Sequence, residues 1–307
     1  MPERNARRTR RSVKRNRRAT RAATPRGRAI AIGLNYVDPT HYAGWDGELT
    51  GCEPDAEDMT RIAKSCRFTC RTLLTRRATR SAVLKELAVA AAALRSGDIL
   101  MVSYSGHGGQ LPDANGDESD LKDETWCLYD GELVDDELLR MWSKFKAGVR
   151  ILVFSDSCHS GTVTRARYQA LAAGGGLSAI MERPPVERGR PLAGFRAMPP
   201  AEAVRTYRKN RKLYDAILKQ PAPRQAAIKA SVLLISGCQD NQLSSDGDFN
   251  GLFTGRLKMV WNEGEFGGDY SAFHKAILRD MPPTQSPNFY TIGAPNPGFL
   301  DQRPFTI

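Results

Sequence analysis

The 307-residue chain has no apolar run approaching ~18 residues, so no transmembrane helix is expected. Its six cysteines (Cys52, Cys66, Cys70, Cys127, Cys158 and Cys238) form no CxxC pair, and Cys66-x3-Cys70 has no partner pair, so zinc is not expected. No h-region follows the N-terminal arginines. The stretch Ala29–Leu34 is too short for one and reads as a strand, which makes a cytoplasmic protein with reduced thiols the default. The first 28 residues are nearly free of acid, with Glu3 against twelve Lys and Arg. The formal charge of +11 belongs to that tail, and the remainder is neutral. Residues 1–27 are therefore expected to be a disordered, Arg-rich tail, either simply solvated or an arm for nucleic acid or another acidic surface.

Beyond the tail, apolar runs alternate with helical spacings. Strands are expected at Arg28–Leu34, Thr69–Leu74, Asp98–Tyr104, Val149–Phe154, Ser231–Ser236 and Ser286–Ile292. Helices are expected at Pro54–Cys66, Thr79–Leu94, Val134–Phe145, Gly251–Trp261 and Tyr270–Leu278, with one more near Ala201–Lys219. This order predicts an α/β fold, a three-layer sandwich around a mostly parallel sheet covered on both faces. Residues 162–230 change character, being rich in Gly, Pro and cations. The expected division is residues 28–165 as the catalytic region, 166–230 as an insert or linker, and 231–307 completing the same domain.

Two polar, Gly-rich segments close two of the apolar runs: Ser105-Gly106-His107-Gly108 and Asp156-Ser157-Cys158-His159-Ser160-Gly161. In open parallel sheets the chemistry gathers beyond the carboxyl ends of the strands, where both segments stand. A thiol attacks as thiolate, so it needs a base nearby. Cys158 is the candidate nucleophile and His107 the candidate general base, with the backbone N–H groups of Gly108 and Cys158 as oxyanion donors. His159 adjoins the cysteine and would point elsewhere, while His41 and His274 lie in no informative context.

These residues carry a family resemblance. The hexapeptide around Cys158, together with Tyr104-Ser105-Gly106-His107-Gly108-Gly109-Gln110, resembles the metacaspases and their bacterial relatives among the caspase-like cysteine peptidases. The resemblance covers residues 28–165 and resumes at 231–292. It implies a caspase-like fold and a cysteine endopeptidase acting on proteins or peptides with a basic residue before the cut. The pocket for that residue would map to Cys52, Asp55, Ser105 and Asp156, with Asp240 at the border of the cleft. Carboxylates facing a guanidinium make charge-assisted, often bidentate bonds. Against this, Asp55 also reads as a first-turn helix acid, and Asp156 as a strand-end turn residue.

Asp113, Asn115, Asp117, Ser119 and Glu124 mimic the ligand spacing of an EF-hand, but Glu118 stands where glycine is needed. The resemblance implies a different Ca²⁺ site, built from separated aspartates. Asp123, Asp135 and Asp136 match three of them, and the fourth position is Arg165, a cation that disfavours a bound dication. Ca²⁺ binding and a rebuilt or incomplete site both stay open. Asp135 and Asp136 also read as helix N-caps. No organic cofactor is expected.

An enzyme cutting after Arg or Lys would find targets in its own tail and in 162–230, so self-processing is an expectation. The alternative from another class is a catalytically idle caspase-like scaffold that binds nucleic acid through its tail. Oligomeric state is not legible.

Overall fold

The computed structural model describes residues 24–112, 122–157, 196–237, 250–282 and 285–307. Its core is a six-stranded sheet in the order β2-β1-β3-β7-β8-β9. These strands are β1 Gly27–Gly33, β2 Thr69–Leu74, β3 Ile99–Ser105, β7 Arg150–Asp156, β8 Ser231–Ser236 and β9 Asn288–Gly293. All neighbours are parallel except β9, which runs antiparallel to β8. The strands fall where the apolar runs predict them, because a strand covered on both faces needs apolar side chains in both directions.

Alternation along β3 and β7 splits the core. Leu100, Val102, Ile151 and Val153 face one side, with Val83 and Leu87 of helix α2 (Arg80–Ala93) and Leu138 and Trp142 of α3 (Asp135–Trp142). Met101, Leu152 and Phe154 face the other. Met59 of α1 (Cys52–Ser65), Phe253 and Leu257 of α6 (Leu252–Trp261), and Phe273 of α7 (Tyr270–Arg279) cover them there. The result is the three-layer α/β sandwich expected from the sequence.

Two features depart from the expectations. A second, antiparallel sheet of β4 (Gly108–Pro112), β5 (Lys122–Leu128) and β6 (Gly131–Val134) stands where the sequence reads as a glycine-rich turn and an acidic loop. The helical stretch near 201–219 is two helices, α4 (Pro200–Lys209) and α5 (Arg211–Leu218), broken at Asn210. The Asn210 side-chain amide donates to the carbonyls of Thr206 and His41, so it ties the break to the loop after β1. From residue 196 onward, the segment expected as an insert or linker is packed into the body. Arg196, Ala197, Met198, Tyr214 and Leu218 are all buried. A last short helix, α8, spans Pro297–Leu300.

Candidate active site

The register of β3 against β7 pairs Ser105 with Asp156. His107 and Cys158 therefore each stand two residues beyond a matched pair of strand ends. Cys158 lies outside the described residues, as do Arg165 and Asp240. Ser157, just before Cys158, is buried, and its Oγ is 3.1 Å from Ser155 Oγ, which accepts from the Trp126 indole at 3.0 Å.

His107 is held by the second sheet. Its carbonyl accepts from the Tyr104 hydroxyl at 2.6 Å and from Cys127 N–H at 2.9 Å, and Tyr104 stacks on Trp126. The ring is packed against Trp45, with centroids 4.8 Å apart. Its Nε2 lies 2.9 Å from the Gly47 carbonyl, which can only accept. The hydrogen therefore sits on Nε2, and Nδ1 carries the lone pair of the neutral ring, as a general base requires. Gly47 has φ +55°, and a Cβ there would meet Trp45 at 2.8 Å, so the loop presents its carbonyl to His107 only with glycine.

Asp55, Ser105 and Asp156 converge at the carboxyl ends of β3 and β7. Helix α1 places Asp55 in its first turn. The Asn35 side chain accepts from the N–H groups of Cys52 and Glu53 at 3.0 Å each, and so supplies the cap that α1 lacks locally. Asp55 and Asp156 are each 1% exposed. Asp55 Oδ2 accepts from Ser105 Oγ at 2.7 Å, and Oδ1 accepts from Asn250 Nδ2 at 2.8 Å and Gly251 N at 3.1 Å. Asp156 Oδ2 accepts from the N–H and hydroxyl of Thr254 at 3.0 and 2.7 Å. Burial pushes the Asp55 carboxyl up to about 6; the Arg196 guanidinium opposes that rise and Asp156 adds to it. Cys52 is fully buried one helical turn before Asp55.

A group that the sequence reading did not single out occupies this pocket. The guanidinium of Arg196 is 0% exposed. Its Nη2 is 2.7 Å from Asp55 Oδ2, and its Nη1 is 3.0 Å from Asp156 Oδ2 and 2.7 Å from Ser105 Oγ. Gly251 lines the same pocket, and a Cβ there would stand 2.4 Å from Arg196 Cζ. The space remaining among Asp55, Ser105, Phe154 and Thr254 is about 10 Å³, room for no more than a water. The Arg196 carbonyl accepts from Gly108 N–H at 3.0 Å. Asn250, Gly251 and Thr254 were also missed. No local pattern sets Arg196 apart from its many neighbouring arginines, and the other three act through the tertiary approach of α6.

Asp123, Asp135 and Asp136 also come together. Each is 1% exposed, and each offers an oxygen within 4.8 Å of the others. Asp123 comes from β5, and the other two open α3. The residue flanking that helix is Val134, whose N–H is accepted by Glu137 at 3.2 Å, so neither aspartate is the N-cap. Arg140 approaches Asp136 at 3.8 Å. Buried, all-oxygen and anionic, the cluster has the donor chemistry of a hard divalent cation.

The Caspase domain family model matches residues 26–298, and the chain belongs to that family of peptidases. Among curated relatives, Metacaspase-1A of Aspergillus terreus is 30% identical over 263 residues, covering 78% of this chain and 62% of that protein. Metacaspase-1 of Coccidioides immitis is 29% identical over 265 residues, covering 78% and 54%. The chain thus spans little more than half the length of these relatives. Among solved structures, protein GSU0716 from Geobacter sulfurreducens is 55% identical with a TM-score of 0.78, covering 92% of this chain and 99% of that one. Caspase-1 from Spodoptera frugiperda shares the fold, with a TM-score of 0.51 at 14% identity, covering 88% and 87%.

Proposed function

We propose that the chain is a cysteine endopeptidase that cuts proteins or peptides after arginine or lysine. The observation that carries the reading is the Arg196 guanidinium, fully buried between two carboxylates that no aspartate side chain could approach without repulsion. A substrate arginine would take the same bonds. His107 Nδ1 accepts the Cys158 proton, the thiolate attacks the carbonyl carbon, and the negative oxygen collects at the N–H groups of Gly108 and Cys158. His107 then returns the proton to the leaving amine, and water hydrolyses the thioester. Asp55, Ser105 and Asp156 hold the basic side chain, and Cys52, buried one helical turn before Asp55, belongs to the same proposed substrate-binding set.

Asp123, Asp135 and Asp136 would hold Ca²⁺, which would supply a charged link between β5 and the start of α3. In this reading the protein acts in the cytoplasm. No disulfide joins Cys52, Cys66, Cys70 or Cys127 among the described residues, and no described helix is long and apolar enough to cross a membrane. The Arg-rich tail serves as an arm for an anionic partner such as nucleic acid. Deleting residues 1–27 should abolish nucleic-acid retention and leave peptide hydrolysis intact. Loss of nucleic-acid retention on this deletion, in a chain that hydrolyses no peptide before or after it, would favour the scaffold reading.

The decisive assay uses fluorogenic peptides ending in Arg, Lys or Asp, with wild type and Cys158→Ala. Arg and Lys peptides should be cut and Asp peptides spared, with all activity lost in Cys158→Ala. Hydrolysis that survives Cys158→Ala would overturn the mechanism, and a preference for Asp would overturn the pocket.

A further inference from the structure

Beyond the tail the chain is neutral in sum, but its charge is segregated. Between Asp58 and Glu86 it carries eight Lys and Arg and no acid. This stretch supplies the end of α1, all of β2 and the start of α2. β2 is the terminal strand of the large sheet, and no strand pairs with its outer edge among the described residues. Lys64, Arg67, Arg71, Arg76 and Arg77, on β2 and the turns that flank it, are all exposed. Glu86 is shared by Arg71 at 3.2 Å and Arg28 at 4.0 Å. No ion pair reaches Lys64, Arg67 or Arg77 among the described residues. Arg76 lies over the Tyr36 ring and donates to its hydroxyl at 3.0 Å. The Arg-rich tail joins the body at the same place. Arg28 of β1 pairs with Thr69 of β2, and Arg26, Arg28 and Arg67 line a cleft of about 350 Å³ beside Thr24 and Pro25.

We propose that the β2 edge is a nucleic-acid face, continuous with the tail, along which a sugar-phosphate backbone lies. The inference rests on the reading of the tail as a nucleic-acid arm. The six residues of β2 run about 20 Å, the rise of about six nucleotides in one strand of a duplex. Cations along that line displace the counterions condensed on the phosphates, and unpaired backbone N–H groups of an edge strand are further donors to phosphate oxygens. The cleft at Arg26, Arg28 and Arg67 takes a phosphate where tail and body meet. An anionic membrane is the rival polyanion, and amphipathic membrane surfaces pair their cations with apolar anchors. None of the described large, exposed apolar side chains falls between Asp58 and Glu86, which favours nucleic acid. The tail supplies most of the contacts. The face adds the remainder, too few to retain the partner alone, and sets where the captured strand lies on the body.

The test uses the full chain with Cys158→Ala as parent, and fluorescence anisotropy of a labelled DNA duplex from about 50 to 200 mM salt. Lys64→Gln with Arg67→Gln and Arg77→Gln removes three phosphate contacts. The slope of log K against log salt should flatten by about 2.7, and affinity at the low-salt end should fall about tenfold or more. Arg77→Gln alone should flatten the slope by about 0.9, which keeps the test open if circular dichroism shows the triple variant unfolded. A control set on α4 and α5, Arg208→Gln with Lys212→Gln and Lys219→Gln, removes as many exposed cations and should leave the slope as it was. Equal losses from the two sets would mean that bulk charge alone acts, and would overturn the face. Face variants that bind as the parent does would also overturn it, while leaving the tail reading standing. No binding by the parent would overturn the tail reading as well. Tighter binding of the parent to phosphatidylserine vesicles than to the duplex would overturn nucleic acid as the partner.

Discussion

In the proposed reading, specificity turns on Asp55. Its carboxylate takes four donors from three parts of the chain, namely Ser105 on β3, Arg196, and Asn250 with Gly251 before α6. Asp55→Asn keeps the shape and removes the charge. Losing one partner of a buried, hydrogen-bonded charge pair is strongly unfavourable, so kcat/KM for Arg peptides should fall on the order of a hundredfold or more. An unchanged kcat/KM would remove Asp55 from the pocket. Burial also sets a pH dependence. With the carboxyl pushed up to about 6, Asp55 becomes protonated as pH drops through that value, and the pocket loses charge just where a guanidinium needs it. KM for Arg peptides should therefore rise below about pH 6, and a KM flat from pH 5 to 8 would contradict the assignment. Asp55 and Asp156 were legible in the sequence because each adjoins an element boundary near a recognised motif. Arg196 was not, since its role depends on where a distant backbone delivers it.

The element that the sequence concealed is the β4–β6 sheet, and its concealment has a physical cause. Its strands carry Gly108, Gly109, Asp123, Glu124 and Glu132, residues ordinarily scarce in strands, because here they face a catalytic turn and buried polar sites. Glu132 is 0% exposed. Its Oε2 accepts from Thr125 Oγ1 at 2.6 Å, and its backbone N–H donates to the Tyr214 hydroxyl of α5, which also lies 2.7 Å from His41 Nε2. Burial pushes the Glu132 carboxyl up from its ordinary value to about 7. A raised carboxylate pKa means that the folded state holds its proton more tightly than the unfolded chain does. Stability from this group therefore declines as pH rises from about 4.5 to 7, by about 3 kcal/mol at most. Glu132→Gln should match wild type near pH 4.5 and melt at higher temperature above pH 7. Parallel melting curves at every pH would show that Glu132 carries no such penalty. The Asn210 break between α4 and α5 was likewise hidden, because only its tie to the His41 carbonyl distinguishes it from an ordinary helical asparagine.

At the scale of the whole molecule, the two sheets meet at the site, one carrying His107 and the pocket, the other bracing them. The aspartate cluster joins β5 of the second sheet to the start of α3. Ca²⁺ should raise the melting temperature of the full chain, and Asp135→Asn with Asp136→Asn should abolish the rise. Indifference of wild type to Ca²⁺, together with a response in Arg165→Asp, would mean that the chain's own cation has replaced the ion.

Strand positions, layer architecture and the family were settled by the sequence alone. Apolar runs such as those of β3, β7 and β8 can be buried in few other ways, and the turn that carries His107 directly follows one such run. Tertiary structure alone decided what fills the pocket. Arg196 meets Asp55 across 141 positions and Asp156 across 40, and contacts of that range leave no local periodicity to read.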